Sequence, residues 1–461
     1  MFILKKNKSE FKMECKTLTT VGIGIALGQL SQILMSAIDV YMISILGEKF
    51  LAGEALVSSL NLLAYLFCMG LVMVIPPLVG EAKGENNNRR VSDLMKNGYL
   101  ISIGAALVQV LYLIIIPWIV KFIIHDSAVV NVSYMYAYGL IPGIIPWTIF
   151  MFIRLILATY GDVKFSSIIS LLGVVINFFG NYLLIYDNKF FHGLGVVGCA
   201  LSTSITNILQ LLAIFLYVKY AYNKEISKYM LAKGGTISKK IIYKIINLGI
   251  PSGFTFFSEQ FIFTATSLLI GRLSSTSLAA YNVVIQWLNI FYMFPIGIAN
   301  SASMRVGETI GEKNKVKNKI VIKSAFTLFL VYAVIIVGLI IIKNHSLIYM
   351  IIDNSYKNMS VIELASNYMY WIAIIFVINS IIAIIAGILR GFKETKAPLV
   401  LVLLLYWIFG VGSSLIFSIL LQENGVFIGI VLGLTLTLVG MCVVLKNNIR
   451  KTYSTMEEVD L

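Results

Sequence analysis

The chain has 461 residues, of which 59% are hydrophobic and only 13% charged, with a mean hydropathy of +0.89 and a formal charge of +14. A soluble domain carries about 25% charged residues, and so few polar side chains cannot cover a water-exposed surface. Soluble enzymes, nucleic-acid binders and disordered scaffolds therefore fit poorly, and a polytopic helical membrane protein is expected.

Lys5, Lys6, Lys8, Lys12 and Lys16 precede the first apolar segment, which is too long for a signal-peptide core and reads as an uncleaved span. Apolar runs then predict twelve membrane helices, at 18–45, 52–80, 98–120, 130–156, 165–186, 195–218, 246–271, 277–304, 321–342, 364–389, 398–421 and 426–445. None shows the period-two alternation of barrel strands. All eight prolines fall in or at the ends of these spans, where neighbouring helices must satisfy the freed backbone groups. With the N-terminus inside, the cytoplasmic loops and adjoining span ends hold 30 of the 36 Lys and Arg, and the outer loops hold 6. The basic balance is thus a topology signal, with both termini cytoplasmic, and a contact with anionic inner-leaflet lipid. The cysteines, Cys15, Cys68, Cys199 and Cys442, are too scattered for a disulfide framework or a zinc motif.

The longest cytoplasmic loop, 223–244, reads as a linker between an N-terminal lobe, 1–222, and a C-terminal lobe, 245–461. An internal repeat supports two related halves. The pattern V-G-E-x-x-G-E-x-N begins at Val79 and again at Val306, an offset of 227 residues. Leu157-Ala158-Thr159-Tyr160-Gly161-Asp162-Val163-Lys164 is similar to Leu389-Arg390-Gly391-Phe392-Lys393-Glu394-Thr395-Lys396, at an offset of 232. Six spans per half make both halves enter the membrane in the same direction, which predicts a parallel repeat with a cavity between the halves.

Acidic groups inside a membrane are costly and usually functional. Two stand out: Asp39 in the first span and Glu259 in the seventh, neither with an evident basic partner in sequence. Desolvation disfavours the charged form of a buried carboxyl, so such groups can exchange protons; with neutral oxygens nearby they can instead hold Na⁺. Polar side chains add to this. Asn177 and Asn181 are four residues apart and share a helix face, as do Asn282 and Gln286. Gln32, Thr203 and Asn379 lie in other spans. These amides serve either a polar cavity or interhelical hydrogen bonds. Gly193, Gly195 and Gly198 form G-x-G-x-x-G, but no strand precedes them and a dinucleotide site does not follow. His125, His192 and His345 lie in or near outer loops, too far apart in sequence for a clustered metal site. Arg154, near the inner end of the fourth span, reads as an interfacial anchor.

Taken together these features resemble the multidrug and toxic compound extrusion (MATE) family, and its NorM-like branch in particular. The segment Met293-Phe294-Pro295-Ile296-Gly297-Ile298-Ala299-Asn300-Ser301-Ala302-Ser303-Met304-Arg305-Val306-Gly307 is similar to the family's M-F-P-x-x-I-x-x-A-x-S-x-R-V-G stretch. Gln32 to Asp39 fits its first-helix Q-x(6)-D pattern, Pro251 to Glu259 its seventh-helix P-x(7)-E pattern, and Gly195 to Ala200 the start of its sixth helix. The resemblance implies a V-shaped bundle of two six-helix lobes around a central cavity. It also implies a monomeric plasma-membrane exporter of drug-like, often cationic compounds, with no enzymatic activity and no cofactor beyond a coupling cation. Carried over by position, Asp39, Asn177, Asn181 and Thr203 fit the N-lobe cation or proton site, and Glu259 the C-lobe cation residue. Two departures matter: Asn181 and Asn379 stand where the family often has an acid. Losing those carboxylates favours H⁺ over Na⁺ as the coupling ion. The alternative within the same superfamily, a lipid-linked oligosaccharide flippase, would favour a cavity rich in Arg and Lys, whereas almost all basic residues here fall at the inner face.

Overall fold

The computed structural model describes residues 2–187, 192–222, 224–231, 234–352 and 359–457; Lys233 of the expected linker lies outside them. All regular structure among these residues is helical: α1 (Phe2–Ser44), α2 (Glu48–Val72), α3 (Ile75–Gly84), α4 (Asn88–Ile123), α5 (Ser127–Thr159), α6 (Lys164–Ile185), α7 (Val196–Leu216), α8 (Lys224–Met230), α9 (Lys239–Leu273), α10 (Ser275–Gly311), α11 (Lys315–Tyr349), α12 (Met359–Gly391), α13 (Lys396–Leu401) and α14 (Gly412–Glu457). Wider π-helical turns follow α7 at Tyr217–Ala221 and join α13 to α14 at Val402–Val411.

Each predicted span is helical, with 52–80 crossing from α2 into α3 and 398–421 running from α13 through the π-helical turn into α14. Among the described residues, ten segments are long and apolar enough to cross a bilayer. The last, Lys396–Ser454, runs for 59 residues and is broken at Gln422 (φ 51°), between the two spans expected there. The seventh expected span sits inside α9, which has 35 residues but is interrupted by Ser258, Glu259 and Gln260 and is correspondingly less apolar. Pro76 and Pro77 sit in the first turn of α3, where their missing N–H groups cost nothing.

The repeat seen in sequence recurs in the backbone, hydrogen bond for hydrogen bond. After α3, the amides of Glu85, Asn86 and Asn87 donate to the carbonyls of Glu81, Lys83 and Ala82; after α10, those of Glu312, Lys313 and Asn314 donate to Glu308, Ile310 and Thr309. Asn86 and Lys313 both take a left-handed conformation, φ 53°. Asn87 and Asn314 then cap α4 and α11, their side chains accepting from Arg90 N and Lys317 N. The second pair behaves alike: Gly161 (φ 81°) and Lys393 (φ 63°) occupy the left-handed position of the turns after α5 and α12.

The chain forms two compact units, Gly24–Gly253 and Met1–Ile23 with Phe254–Leu461. In the first, α5 packs on α7 through small residues: a Cβ on Gly143 would fall 2.6 Å from Ser204 Cα, and Ser204 Oγ donates to Gly139 O at 2.8 Å. Such close backbone approach is how membrane helices gain packing energy without a hydrophobic drive. The segment before α9 is hydrogen-bonded to α4. Lys96 Nζ donates to Gly235 O at 2.9 Å, Asn97 Nδ2 to Thr236 O at 2.9 Å and Tyr99 OH to Met230 O at 3.0 Å. The described part of the 223–244 stretch is therefore docked on α4. In the second unit α10 packs against α12, and Gly297 meets the Gly22 backbone so closely that an added Cβ would fall 2.2 Å from its carbonyl oxygen. Nearby, Arg305 on α10 pairs with Glu14 and Glu308.

Candidate functional site

Each unit holds a buried polar cluster, and four of the expected residues meet in the first. Asp39 on α1 is 5% exposed, and Asn177 and Asn181 on α6 are fully buried. Asn181 Nδ2 donates to Asp39 Oδ1 at 2.6 Å, and Thr203 Oγ1 on α7 donates to Asp39 Oδ2 at 3.0 Å. Asn177 Nδ2 donates to Thr203 Oγ1 at 3.1 Å, and Asn181 Nδ2 also reaches Asn177 Oδ1 at 3.4 Å. The four-residue spacing on α6 stacks the two amides one turn apart, and Ser202 Oγ ties α7 to the Asn177 carbonyl at 3.1 Å. Cys199 on α7 adds a further hydrogen bond to Asp39. No ion pair to Asp39 occurs among the described residues, so its carboxyl is held by neutral dipoles alone.

A second carboxyl, which the amino-acid pattern did not single out, adjoins this cluster. Glu54 on α2 is 1% exposed. Ser58 Oγ donates to Glu54 Oε1 at 2.6 Å, and Tyr136 on α5 adds a further hydrogen bond to the Glu54 carboxylate.

In the second unit Glu259 on α9 is half-buried and lies within electrostatic reach of Arg390, which is 9% exposed near the end of α12; no ion pair among the described residues joins them. The expected lack of a basic partner does not hold for Glu259: Arg390 is 131 positions away in sequence, in what reads as an inner loop, but the turn after α12 starts only beyond Gly391. Arg390 Nη2 donates to Asn300 Oδ1 at 3.1 Å, and the guanidinium lies 5.3 Å from the centre of the Phe256 ring. Tyr292 couples to Glu259 and Arg390 and is hydrogen-bonded to Asn379. Asn379 thus joins the Glu259 cluster. Asn282 and Gln286 do not, since both are exposed on α10. Gln32 is half-buried and its amide reaches Met35 Sδ at 3.8 Å. Arg154 is no interfacial anchor: it is 3% exposed, with its guanidinium pressed against α1 at Gly28.

Known proteins resemble this chain over most of its length. The MatE family model matches residues 25–183 and 251–416. Over 419 residues the chain is 24% identical to a protein described as a probable multidrug resistance protein NorM of Mannheimia succiniciproducens, covering 89% of this chain and 87% of that one. It is 25% identical over 439 residues to the multidrug resistance protein MdtK of Photorhabdus laumondii, covering 92% and 94%. A crystal structure of a MATE protein in the bent conformation superposes with a TM-score of 0.86 at 18% identity, covering 98% of this chain and 99% of that one. The chain belongs to the MATE family of multi-pass membrane transporters, and to a family of transporters, not of enzymes.

Proposed function

We propose that this protein exports amphipathic, often cationic organic compounds across the plasma membrane in exchange for protons, with both termini in the cytoplasm. The observation that carries the reading is the Asp39 cluster: a carboxyl buried among helices of an apolar unit, held by Asn181 and Thr203 with no basic partner among the described residues. An apolar side chain would be cheaper there if packing were the only need. The drug-resistance names of the relatives support the substrate class.

The C-terminal cluster favours H⁺ over Na⁺. A bare cation gives up much of its hydration energy on entering a protein site and needs anionic oxygens in return. Arg390 already offsets the single charge of Glu259, and Asn379 supplies a neutral oxygen where a second carboxylate would stand. A proton needs no such cage. In the outward-open state protonation of Asp39 weakens substrate binding and favours release; from the inside, substrate enters as the proton leaves. Such exchange requires only that proton and substrate prefer different states.

The test is transport in proteoliposomes, with a small panel of cationic dyes under imposed gradients. Export driven by a pH gradient at fixed Na⁺ is expected. Strong stimulation by a Na⁺ gradient at fixed pH, with none from a pH gradient, would overturn the proton reading.

A further inference from the structure

Arg154 takes no part in the function proposed above, yet it is a charge buried at membrane depth. It is 3% exposed, and its Nε and Nη1 are buried without an acceptor. No carboxylate pairs with it among the described residues, where Asp126 takes Lys49 and Glu81 and Glu85 take Arg90. Its guanidinium lies on the backbone of α1: a Cβ added to Gly28 would fall 1.7 Å from Nη1 and 2.6 Å from Cζ. Gly28 is ten residues into the first span, about 15 Å from its inner end. A guanidinium cannot escape such a place by losing its proton, and an unpaired charge there is costly.

The other unit shows how such an arginine is satisfied from within. At the repeat offset of 232 residues Arg154 corresponds to position 386 on α12, one turn before Arg390. Arg390 donates to Asn300 Oδ1 at 3.1 Å and has Glu259 within electrostatic reach. Arg154 has no counterpart of Asn300. These two are the only buried basic side chains among the described residues, one in each unit.

The face of α1 that meets Arg154 is polar further out. Gly28, Gln32, Met35 and Asp39 stand at i, i+4, i+7 and i+11 and form one stripe. Gln32, in its middle, is half-buried, and its amide reaches Met35 Sδ, a weak acceptor, at 3.8 Å. The stripe thus runs from a cation without a counter-charge, past a half-open amide, to the Asp39 carboxyl.

We propose that Arg154 receives a carboxylate of the exported compound, so that the protein takes zwitterionic amphiphiles as well as cations; this rests on the efflux reading above. One guanidinium matches one carboxylate, through two parallel N–H···O bonds. The pyrophosphate of a lipid carrier would call for several cations, and this unit has no second buried one among the described residues. The alternative, an arginine kept for its packing on Gly28, predicts that replacing it affects every ligand alike.

The test uses a rhodamine with a free carboxylate and the cationic methyl ester of the same dye, each titrated with full-length protein in detergent and followed by fluorescence anisotropy. Specificity is the ratio of the two affinities. The wild type should bind the acid at least threefold tighter than the ester. In Arg154→Gln, eluting as a monodisperse species, that ratio should fall at least tenfold. Arg154→Lys, which keeps the charge without the fork, should fall at least threefold and carries the test if the Gln variant does not fold. An unchanged ratio, or an acid that the wild type does not bind, overturns the proposal. Displacement of the acid by phosphatidylglycerol but not by benzoate overturns it in favour of a lipid head group. Export by the wild type is read separately, in proteoliposomes under a pH gradient. Export of the ester without an acid preference in binding would sink the role of Arg154 and leave efflux standing. An acid preference that depends on Arg154, with neither dye exported, would sink efflux and leave the anion site.

Discussion

Replacing Glu259 by Gln tests the pairing with Arg390 as well as transport. The substitution preserves volume, so no cavity term enters, but it removes the charge that Arg390 faces. A guanidinium stays protonated at any accessible pH, so it cannot escape by losing its charge. What it keeps is one hydrogen bond, Nη2 to Asn300 Oδ1 at 3.1 Å, and the Phe256 ring at 5.3 Å; Nε is buried and without an acceptor already. Removing one partner of a buried charge pair costs about 3–5 kcal/mol. No ion pair among the described residues joins Glu259 to Arg390 and Glu259 is partly exposed, so the expected loss is smaller, about 1 kcal/mol. Glu259→Gln/Arg390→Met removes the stranded charge and should recover most of that. Denaturant unfolding of the detergent-solubilised protein, followed by helical signal, reads both values, and a transport assay on the same preparations should show the single variant inactive. A Glu259→Gln protein as stable as wild type, with no gain from the second substitution, would show that Arg390 does not depend on Glu259.

Asp39→Asn should fold but uncouple export from pH, because an amide keeps an acceptor for Asn181 and cannot ionise; a wild-type pH profile of export would refute this. In a cysteine-free background, His125→Cys and His192→Cys should react with an impermeant maleimide added outside intact cells, and Lys313→Cys should not; labelling of the last alone would invert the topology. Asn379→Asp adds a carboxyl beside Tyr292 and Arg390 and should increase the Na⁺ dependence of export at fixed pH, an expectation defeated if Na⁺ has no more effect than on wild type.

The spans and the repeat were legible because both rest on local patterns. A run of apolar residues specifies a membrane helix without reference to its neighbours, and V-G-E-x-x-G-E-x-N encodes a turn whose hydrogen bonds are all made within a few residues. The Asp39 cluster was legible in part: the spacing of Asn177 and Asn181 gave one face of α6, and the family resemblance joined it to α1 and α7. Glu54 was not, because six residues after Glu48 it reads as belonging to a polar span end. The signal available was the four-residue spacing to Ser58 within Leu51–Leu60, where Leu51, Ala52, Ala55, Leu56 and Val57 surround the acid with apolar side chains. Arg390 was hidden for a different reason. It stands in a loop motif, and only the packing of α12 against α10 shows that the last turn before that loop is buried.

The division of the chain into units falls inside α1, at Ile23, and inside α9, at Gly253, not in the loop between the halves. The first half-chain thus lends its opening residues to the second unit, and the second half-chain lends the opening of α9 to the first, where Gly249 and Gly253 sit against Leu71 and Phe67. Cutting the gene at the 223–244 segment would therefore not yield two self-sufficient pieces. Each fragment would carry a helix stub that belongs elsewhere and would miss the one it needs. The two similar halves should therefore be expressed or exchanged with a relative as a matched set.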